Sequence, residues 1–329
     1  MPESLMPPVG THSPPIELVG RSAAIAKVHE FLRRAASLDG GVLIAAEDGC
    51  AVDSVVVELH ARGRYASGPF VAVDCAADGA FLDHLLFGTA SGDGFDLEAV
   101  APSSRIAHAR GGFLFLRQVT ELPAGIQARL ARIARDGEVR IDGVTVETGF
   151  RLVAGALPGV DADVDARRLR ADLYRRLSAI RIDLPPLRDR QEDVPELATR
   201  LLEDLCTERR LAPRRFAQPA LALVGGLSWP GNLRELRDVI ERVLTLVSAD
   251  VIELEDLLPA LRLQRGAETF TPAGSLREAR RRFERDYIAS VLQHHGWHMA
   301  DAAQTLGIQR PNLYRKARQL GIPLTRAAE

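Results

Sequence analysis

The sequence predicts an α/β protein with a parallel sheet, followed by an all-helical region and a C-terminal helix-turn-helix. Three patterns support this organisation. Five short apolar runs alternate with helix-compatible segments, which is typical of a parallel sheet covered on both faces. Apolar residues then recur at helical spacing after residue 190. The final segment has the pattern of two short helices joined at a glycine.

The N-terminal part predicts a tail and then the sheet. Residues 1–17 are rich in proline and lack the basic and apolar pattern of a signal peptide, which indicates a disordered tail. The α/β part is expected to span residues 18–187. The five apolar runs predicted as strands are 41–45, 69–73, 112–116, 150–156 and 179–184.

The stretch VLIAAEDGCAVDSVV (42–56) has the layout of a phosphate-binding loop. It contains an apolar strand, a turn at Gly49 and a helix-like continuation. Such a loop ends in a lysine, and Val52 stands in that place. The chain holds only two lysines, Lys27 and Lys316, and neither lies near the loop in sequence. The pattern therefore raises the question of whether the site still binds a nucleotide.

A hairpin and a helical region follow. In EVRIDGVTVE (138–147), an Asp-Gly pair separates two alternating stretches, which predicts a type I′ β-hairpin. Residues 188–261 carry apolar residues at helical spacing and predict a small helical subdomain. Residues 262–274 contain two glycines and a proline, which favours a linker.

The C-terminal segment, residues 275–329, predicts a DNA-binding helix-turn-helix. Two apolar faces are separated by Gly307, with small alanines where the helices would cross. The second helix of such a motif enters the major groove, where Arg, Gln and Asn can bond base edges. The alternative is a helical hairpin whose polar face is merely solvated. The residues expected to contact DNA are Gln309, Arg310, Asn312, Arg315 and Lys316.

Charge and composition indicate the same class of protein. Residues 275–326 hold ten Arg or Lys against four Asp or Glu, a net charge of +6, whereas the whole chain carries −2. A basic appendage on an acidic body favours a nucleic-acid partner. No apolar run approaches the roughly 20 residues of a membrane span. The three cysteines show no metal-ligand spacing. We therefore expect a cytoplasmic protein with no metal site and no membrane partner.

Two parts of the chain resemble known families. LREARRRFERDYIASVLQHHG and DAAQTLGIQRPNLYRKARQLGI are similar to the Fis-type DNA-binding domain of bacterial transcription regulators. That resemblance implies a homo-oligomer, dimeric through this domain, on double-stranded DNA. The body, residues 18–261, resembles the AAA+ domain of sigma-54-dependent activators. The most specific pieces are PFVAVDCAA, LFG, GGFLFL, LRADLYRRLSAIRIDLPPLRDRQEDVPELA and LSWPGNLRELRDVIERVL.

The AAA+ resemblance implies a P-loop-type sheet with a helical lid, rings that hydrolyse ATP at subunit boundaries, and sigma-54 RNA polymerase as partner. This chain departs from the family motifs. The family loop GESGTGKE aligns with AEDGCAVD (46–53), and Arg117 and Gln118 replace the Walker B Asp-Glu pair. A cation at position 117 would repel magnesium, and a glutamine is no base at neutral pH. The resemblance assigns to the former nucleotide site Glu47, Gly49, Val52, Asp53, Arg117, Gln118 and Arg234.

Other family positions are also changed. Leu157 replaces the sensor asparagine, Asp74 replaces the asparagine of the family's NCAA, and GDGFDL (92–97) stands where the sigma-contacting GAFTGA would be. Arg170 and Arg176 match the arginine fingers that reach a neighbouring subunit's site. Their alternative role is structural, in pairs with acidic residues at a subunit or lid interface.

These substitutions predict a DNA-binding transcription regulator whose AAA+ domain is catalytically inactive and serves oligomerisation or regulation. No catalytic residue and no cofactor are expected, although ATP binding stays open. The alternatives are a residual ATPase at sigma-54 promoters, a nucleotide sensor without hydrolysis, and a helper subunit in a mixed ring. A helper would donate Arg170 and Arg176 to an active AAA+ paralogue.

Overall fold

The computed structural model describes residues 16–88, 97–265 and 297–320, together with 285, 288, 291, 292, 295 and 322. The chain divides into two compact units, Met1–Pro186 and Leu187–Glu329. Residues 1–15 of the predicted tail and residues 92–96 of the GDGFDL segment lie outside the described residues. The helices described here do not combine the length and the apolar character that a membrane span needs.

A five-stranded parallel sheet forms the centre of the first unit. Its strands are β1 (Val42–Ala45), β2 (Phe70–Asp74), β3 (Phe113–Arg117), β6 (Arg151–Ala156) and β7 (Ile180–Asp183). Their order is β2-β3-β6-β1-β7, and each neighbouring pair is parallel. Every residue of β1 and β6 is buried, because both faces of the sheet are covered. The five apolar runs predicted as strands are thereby confirmed.

Helices cover the two faces of the sheet. Leu114 and its neighbour Phe115 on β3 point into two separate apolar clusters, because side chains alternate along a strand. The helices of this unit are α1 (Ala23–Ser37), α2 (Val52–Arg62), α3 (Gly79–Phe87), α4 (Arg105–His108), α5 (Ala124–Asp136), α6 (Val160–Asp165) and α7 (Ala171–Leu177).

The hairpin prediction is confirmed. Antiparallel β4 (Glu138–Ile141) and β5 (Val144–Glu147) pair with each other and not with the main sheet. The two residues between them, Asp142 and Gly143, have φ values of 49° and 81°. Positive φ at both central residues defines the type I′ turn, which the Asp-Gly pair favours.

The lid part of the second unit is helical, as predicted. Its elements are α8 (Val194–Glu208), β8 (Arg215–Phe216), α9 (Gln218–Gly226), α10 (Asn232–Leu246), β9 (Val251–Ile252) and α11 (Leu254–Arg265). The buried Trp229 donates its indole N–H to the Val224 carbonyl at 2.8 Å. Asn232, which is also buried, accepts the Leu187 N–H at 3.0 Å and so ties the start of α10 to the start of the unit.

Two predicted boundaries differ from the structure. Helix α11 continues to Arg265, so the first four residues of the predicted linker are helical; the glycines and the proline that indicated a linker come after this point. Residues Ile16–Leu18 form a 3₁₀ turn rather than the end of a disordered tail. Leu18 packs into the core under α1 and α2, and Glu17 is buried beside it, which fixes the chain here.

The C-terminal segment contains the predicted pair of helices, α12 (Met299–Thr305) and α13 (Arg310–Gln319). Gly307 adopts a φ of 64° in the turn between them, a conformation that glycine reaches without steric cost. The helices share one apolar cluster with described residues before and after them. Its buried members are Ile288, Val291, Leu292, Met299, Ala302, Ala303, Leu306, Leu313, Ala317 and Ile322.

Candidate nucleotide loop and nucleic-acid interface

The loop between β1 and α2 directs three successive backbone N–H groups to acceptors of the protein itself. The Cys50 N–H donates to the Glu47 carbonyl at 3.3 Å, and the Val52 N–H donates to the Cys50 carbonyl at 3.0 Å. Ala51 between them has φ −83° and ψ 64°, the geometry of an inverse γ-turn. A phosphate-binding loop instead aims consecutive amides at one external anion.

The third amide is bound by a carboxylate from outside the loop. The Ala51 N–H donates to Glu17 Oε2 at 3.1 Å, and Glu17 is only 1% exposed. An anionic oxygen thus sits at the N-terminal end of α2, where the helix dipole favours negative charge. Sequence reasoning missed Glu17 because it assigned residues 1–17 to a tail. The only signal was an acid between two apolar residues, Ile16 and Leu18.

Val52, in the place of the missing lysine, points into the core. Its Cγ1 lies 3.7 Å from the position that a Cβ on Gly155 would occupy, and Phe115 borders the same space. Val52 packs against the apolar cluster on that face of the sheet. Gly49 keeps a positive φ of 84°, so the turn itself is retained. The loop therefore joins strand to helix, with an apolar contact at the position that the AAA+ resemblance assigns to the lysine.

Arg117 and Asp53 form an ion pair at the carboxyl end of β3. The Arg117 guanidinium donates to Asp53 Oδ1 and lies over the Phe115 ring at 5.5 Å from its centroid. The AAA+ resemblance assigns Asp53 to the end of the loop and Arg117 to the position of the Walker B aspartate. A cation held by a carboxylate occupies the corner expected to carry magnesium. Gln118 follows with a φ of 51°, an uncommon left-handed conformation for a residue with a side chain.

Two further positions that the AAA+ resemblance assigns to the site, Asp74 and Leu157, are near the ends of strands β2 and β6. Asp74 ends β2 opposite Arg117 in register, and its Oδ1 accepts the Ala76 N–H at 3.0 Å. Burial, and secondarily Asp74, raises the pKa of the Cys75 thiol to about 12, against a smaller opposite effect of Arg117. Leu157, in the place of the sensor asparagine, is 45% exposed and offers no hydrogen bond from its side chain. Within the described residues, no three His, Cys, Asp or Glu side chains form a group that could hold a metal ion.

Arg170 is the N-cap residue of helix α7, and Arg176 lies in the last turn of that helix. Arg170 makes a two-pronged contact with Asp172, at 3.0 and 2.7 Å, while its backbone N–H donates to the buried Gln127 at 2.8 Å. Asp172 has its pKa lowered, first by the hydrogen bond from Arg170. Arg176 is exposed near the end of the same helix. Arg234, the predicted second sensor, is exposed on α10 in the other unit.

Four of the five predicted DNA contacts are exposed around the start of α13. Gln309 stands at its N-cap position, Arg310 begins it, and the Arg315 guanidinium donates to Asn312 Oδ1 at 3.3 Å. Lys316 is half-buried, on the edge of the face that carries Leu313 and Ala317.

Tyr314 is a surface residue of α13 that the sequence reasoning did not select. Its ring is 39% exposed, and the Arg310 guanidinium lies over it, 5.8 Å from the ring centroid. The i, i+4 spacing of an arginine and an aromatic residue was the available signal. The stacking holds the Arg310 guanidinium beside the exposed start of the helix.

Comparison with known proteins gives the same division of the chain. A sigma-54 interaction domain matches residues 18–183, an AAA+ ATPase lid domain matches 188–272, and the Fis family of bacterial regulatory proteins matches 279–320. The nitrogen assimilation regulatory protein NtrX of Azorhizobium caulinodans is 30% identical over 328 residues, covering 94% of this chain and 70% of that protein. The transcriptional regulator NtrC of Rhizobium meliloti is 30% identical over 345 residues, covering 94% and 71%.

A solved structure shares the fold. The crystal structure of NtrX from Brucella abortus in complex with ATP has a TM-score of 0.69 and 27% identity, and covers 92% of this chain and 69% of that one. The predicted fold class is confirmed, and so is the resemblance on which the DNA-binding end and the AAA+ body were assigned. This chain belongs to the family of sigma-54-dependent transcriptional regulators, with a sigma-54 interaction domain, an AAA+ lid and a Fis-type helix-turn-helix.

Proposed function

We propose that this chain is a cytoplasmic regulator that binds double-stranded DNA through α13 and uses its AAA+ body without hydrolysing ATP. The body would serve oligomerisation or regulation. The observation that supports this proposal is that groups of the protein itself occupy the places of phosphate and magnesium. The Ala51 N–H is bound to the Glu17 carboxylate, and Arg117 is paired with Asp53.

These contacts do not fit a magnesium–nucleotide complex. A triphosphate would have to displace the Glu17 carboxylate and turn the Cys50 and Val52 amides outward, against the hydrogen bonds that they now make. Loss of the charge-assisted bond to Glu17 would cost about 1.5–3 kcal/mol, and loss of each of the two amide–carbonyl bonds about 0.5–1.5 kcal/mol. No lysine adjoins the loop to offset the phosphate charge. Hydrolysis would in addition need a base, and Gln118 cannot supply one.

The alternative proposal keeps a nucleotide. The related NtrX of Brucella abortus was crystallised with ATP, so the fold accommodates it in that relative. Here Arg117 could balance phosphate charge in place of magnesium, and Arg234 could contact phosphate as a second sensor. That arrangement would give a nucleotide sensor, or a residual ATPase acting on sigma-54 RNA polymerase.

One titration separates these proposals. A fluorescent ATP analogue is added to the full chain with and without magnesium, and phosphate release is assayed in parallel. We expect neither turnover nor magnesium-dependent binding. Turnover that requires magnesium would contradict the proposal, whereas tight binding without magnesium and without turnover would favour the sensor. A Val52→Lys variant is the matched control, and the inward-directed amides should keep this single restoration inactive.

The DNA-binding proposal is supported by the exposed polar start of α13 and by its shared core with α12. Arg310→Ala should weaken binding and relax site selection when bound sequences are recovered from a random pool. The control is Arg318→Ala. Arg318 is exposed in the last turn of α13, where we expect it to contact a phosphate rather than a base, so its loss should weaken binding evenly across sequences. Unchanged site selection by Arg310→Ala would contradict the assignment of α13 as the recognition helix.

The proposed partners follow from the same family. Dimerisation through the C-terminal domain would match a two-fold-related DNA site. The AAA+ body could also join an active AAA+ paralogue as a helper subunit and offer Arg170 and Arg176 to it. An ATPase assay of this chain mixed with such a paralogue distinguishes the helper role from the scaffold role. An Arg170→Ala variant should lower the ATPase rate of the mixed ring only if the chain is a helper.

A further inference from the structure

Tyr314 is an exposed aromatic residue on α13, the recognition helix of the proposed function. Its ring is 39% exposed, and it is not among the residues of the apolar cluster that joins α12 to α13. The buried face of α13 carries Leu313 and Ala317 instead. The ring of Tyr314 is therefore available for an external contact at no cost to the core.

The direction of the Tyr314 side chain brings its ring to the start of the helix. Side chains of an α-helix lean toward its N-terminus, so the ring covers the turn that begins at Arg310. The observed contact agrees, because the Arg310 guanidinium lies over the ring, 5.8 Å from its centroid. The first residues of a recognition helix are the ones that meet base edges. The ring therefore lies at the end of α13 where bases would be read.

The stack leaves the hydrogen-bonding edge of Arg310 available. A guanidinium that stacks on a ring uses its face, whereas its N–H donors lie in its plane. Helix α13, with the sequence RPNLYRKARQ, contains no carboxylate that could compete for these donors. Arg310 is also exposed. Such a guanidinium can donate to O6 and N7 of one guanine, the two acceptors at that edge of the base.

The spacing of the two groups matches that of nearby base pairs. The guanidinium and the ring centroid are 5.8 Å apart, and successive base pairs are separated by about 3.4 Å along the duplex. The two groups can therefore reach base pairs that are one or two steps apart. In the major groove of unmodified DNA, thymine is the base that presents a methyl group, and apolar side chains, aromatic rings included, recognise it by contact.

We propose that Tyr314 is a specificity-determining residue that contacts the methyl group of a thymine close to the guanine bound by Arg310. The ring also holds Arg310 in position to bond that guanine. This inference rests on the proposed function, because it requires α13 to lie in the major groove. It extends that function by naming a second base and the group by which the protein recognises it.

The test replaces thymine with uracil, which lacks only the methyl group. The full chain first selects its site from a random pool of duplexes, and Arg310→Ala identifies the guanine by the preference that it loses. Each thymine within two base pairs of that guanine, on either strand, is then replaced by uracil, one at a time, and equilibrium binding is measured. We expect one replacement to weaken binding about four-fold, the effect of exposing one buried methylene-sized group.

Variants of Tyr314 connect this effect to the ring. Tyr314→Ala should bind the thymine and uracil duplexes equally, and its preference for the guanine should fall about two- to five-fold because the stack is lost. Tyr314→Phe keeps the ring and should behave like the parent chain. Unfolding of the C-terminal helices, followed by the fluorescence of Trp297 on the apolar cluster, should be the same in both variants, since Tyr314 lies outside that cluster.

Several results would overturn the proposal. They are an absence of thymine within two base pairs of the guanine, equal binding of thymine and uracil duplexes by the parent chain, and a uracil effect that persists in Tyr314→Ala. A loss in Tyr314→Phe as large as in Tyr314→Ala would also overturn it, because the contact would then belong to the hydroxyl group. Failure of the proposed function gives a different result: Arg310→Ala would leave site selection unchanged, and both proposals would be wrong.

Discussion

The ion pair between Arg117 and Asp53 allows a stability prediction for the former magnesium corner. Arg117→Asp removes the cation and adds a carboxylate next to Asp53, with Asp74 opposite in the neighbouring strand. Arg117 and Asp53 are 39% and 52% exposed, so solvent screens the pair and its loss should cost only about 0.2–1 kcal/mol. Like charges about 4 Å apart add about 1 kcal/mol each in water-like surroundings.

The expected free energies of unfolding follow from these magnitudes. Arg117→Ala should lower the stability of the first unit by about 1 kcal/mol at most, and Arg117→Asp by about 1–3 kcal/mol. The difference between the two variants should shrink in about 1 M salt, where the screening length is about 3 Å. Magnesium at millimolar concentration should stabilise Arg117→Asp, because the added carboxylates can bind the ion, and should leave the parent chain unaffected.

The assay must report on the first unit alone. Both tryptophans, Trp229 and Trp297, lie in the second unit, so their fluorescence does not follow β3. Urea-dependent hydrogen exchange in peptides from β1 and β3 reports the stability of the first unit directly. Arg209→Ala is the matched control, because Arg209 is also 39% exposed and pairs with Glu241 in the second unit. It should leave exchange in β3 unchanged.

One result would refute this reasoning. If Arg117→Asp cost less than Arg117→Ala at low salt, position 117 would not face Asp53 and Asp74. A parent chain that magnesium stabilised beyond a sodium chloride control of equal ionic strength would contradict the idea that the corner is filled by an internal ion pair.

Three further predictions concern other residues. Burial raises the pKa of Cys75 to about 12, so its alkylation should not increase between about pH 7 and pH 9, across the free-thiol pKa of about 8.5; mass spectrometry of labelled peptides checks this. Because this pKa is raised, the neutral thiol contributes stability below about pH 8.5 and loses it as the pH rises toward 12. Glu17→Gln weakens the bond to the Ala51 N–H and should lower stability by about 1–2 kcal/mol, with faster amide exchange at residue 51; unaltered exchange would contradict this contact. Leu313→Ala should lower the stability of the C-terminal helices by about 2–5 kcal/mol and abolish DNA binding. The fluorescence of Trp297, which packs on the same cluster, reports their unfolding.

Periodicity in the sequence predicts the sheet, because a strand that is buried on both faces must be apolar throughout. The hairpin was equally visible, since Asp142-Gly143 favours positive φ at both positions. Boundaries were less predictable: the linker prediction began at residue 262, although α11 continues to Arg265. Composition beyond the last turn of a helix carries little information on where that helix ends.

The sequence predicts which positions form the candidate site, but not which contacts their side chains make. The AAA+ resemblance places Val52 and Arg117 where the family has its loop lysine and its Walker B aspartate. That Arg117 finds Asp53 depends on the sheet bringing together residues that are 64 positions apart. The role of Glu17 depends on a buried 3₁₀ turn, for which a short segment next to a proline-rich stretch gives no periodic signal.

The strand order has a consequence for folding while the chain is synthesised on the ribosome. Strand β1 leaves the ribosome early, yet its two neighbours, β6 and β7, begin at residues 151 and 180. The apolar run Val42–Ala45 therefore has no partner strand until more than a hundred further residues have been synthesised. At about 5–20 residues per second this takes on the order of ten seconds. Helix α2 follows β1 directly along the chain and packs in the same apolar cluster, so this contact needs no residue beyond Arg62 and no nucleotide.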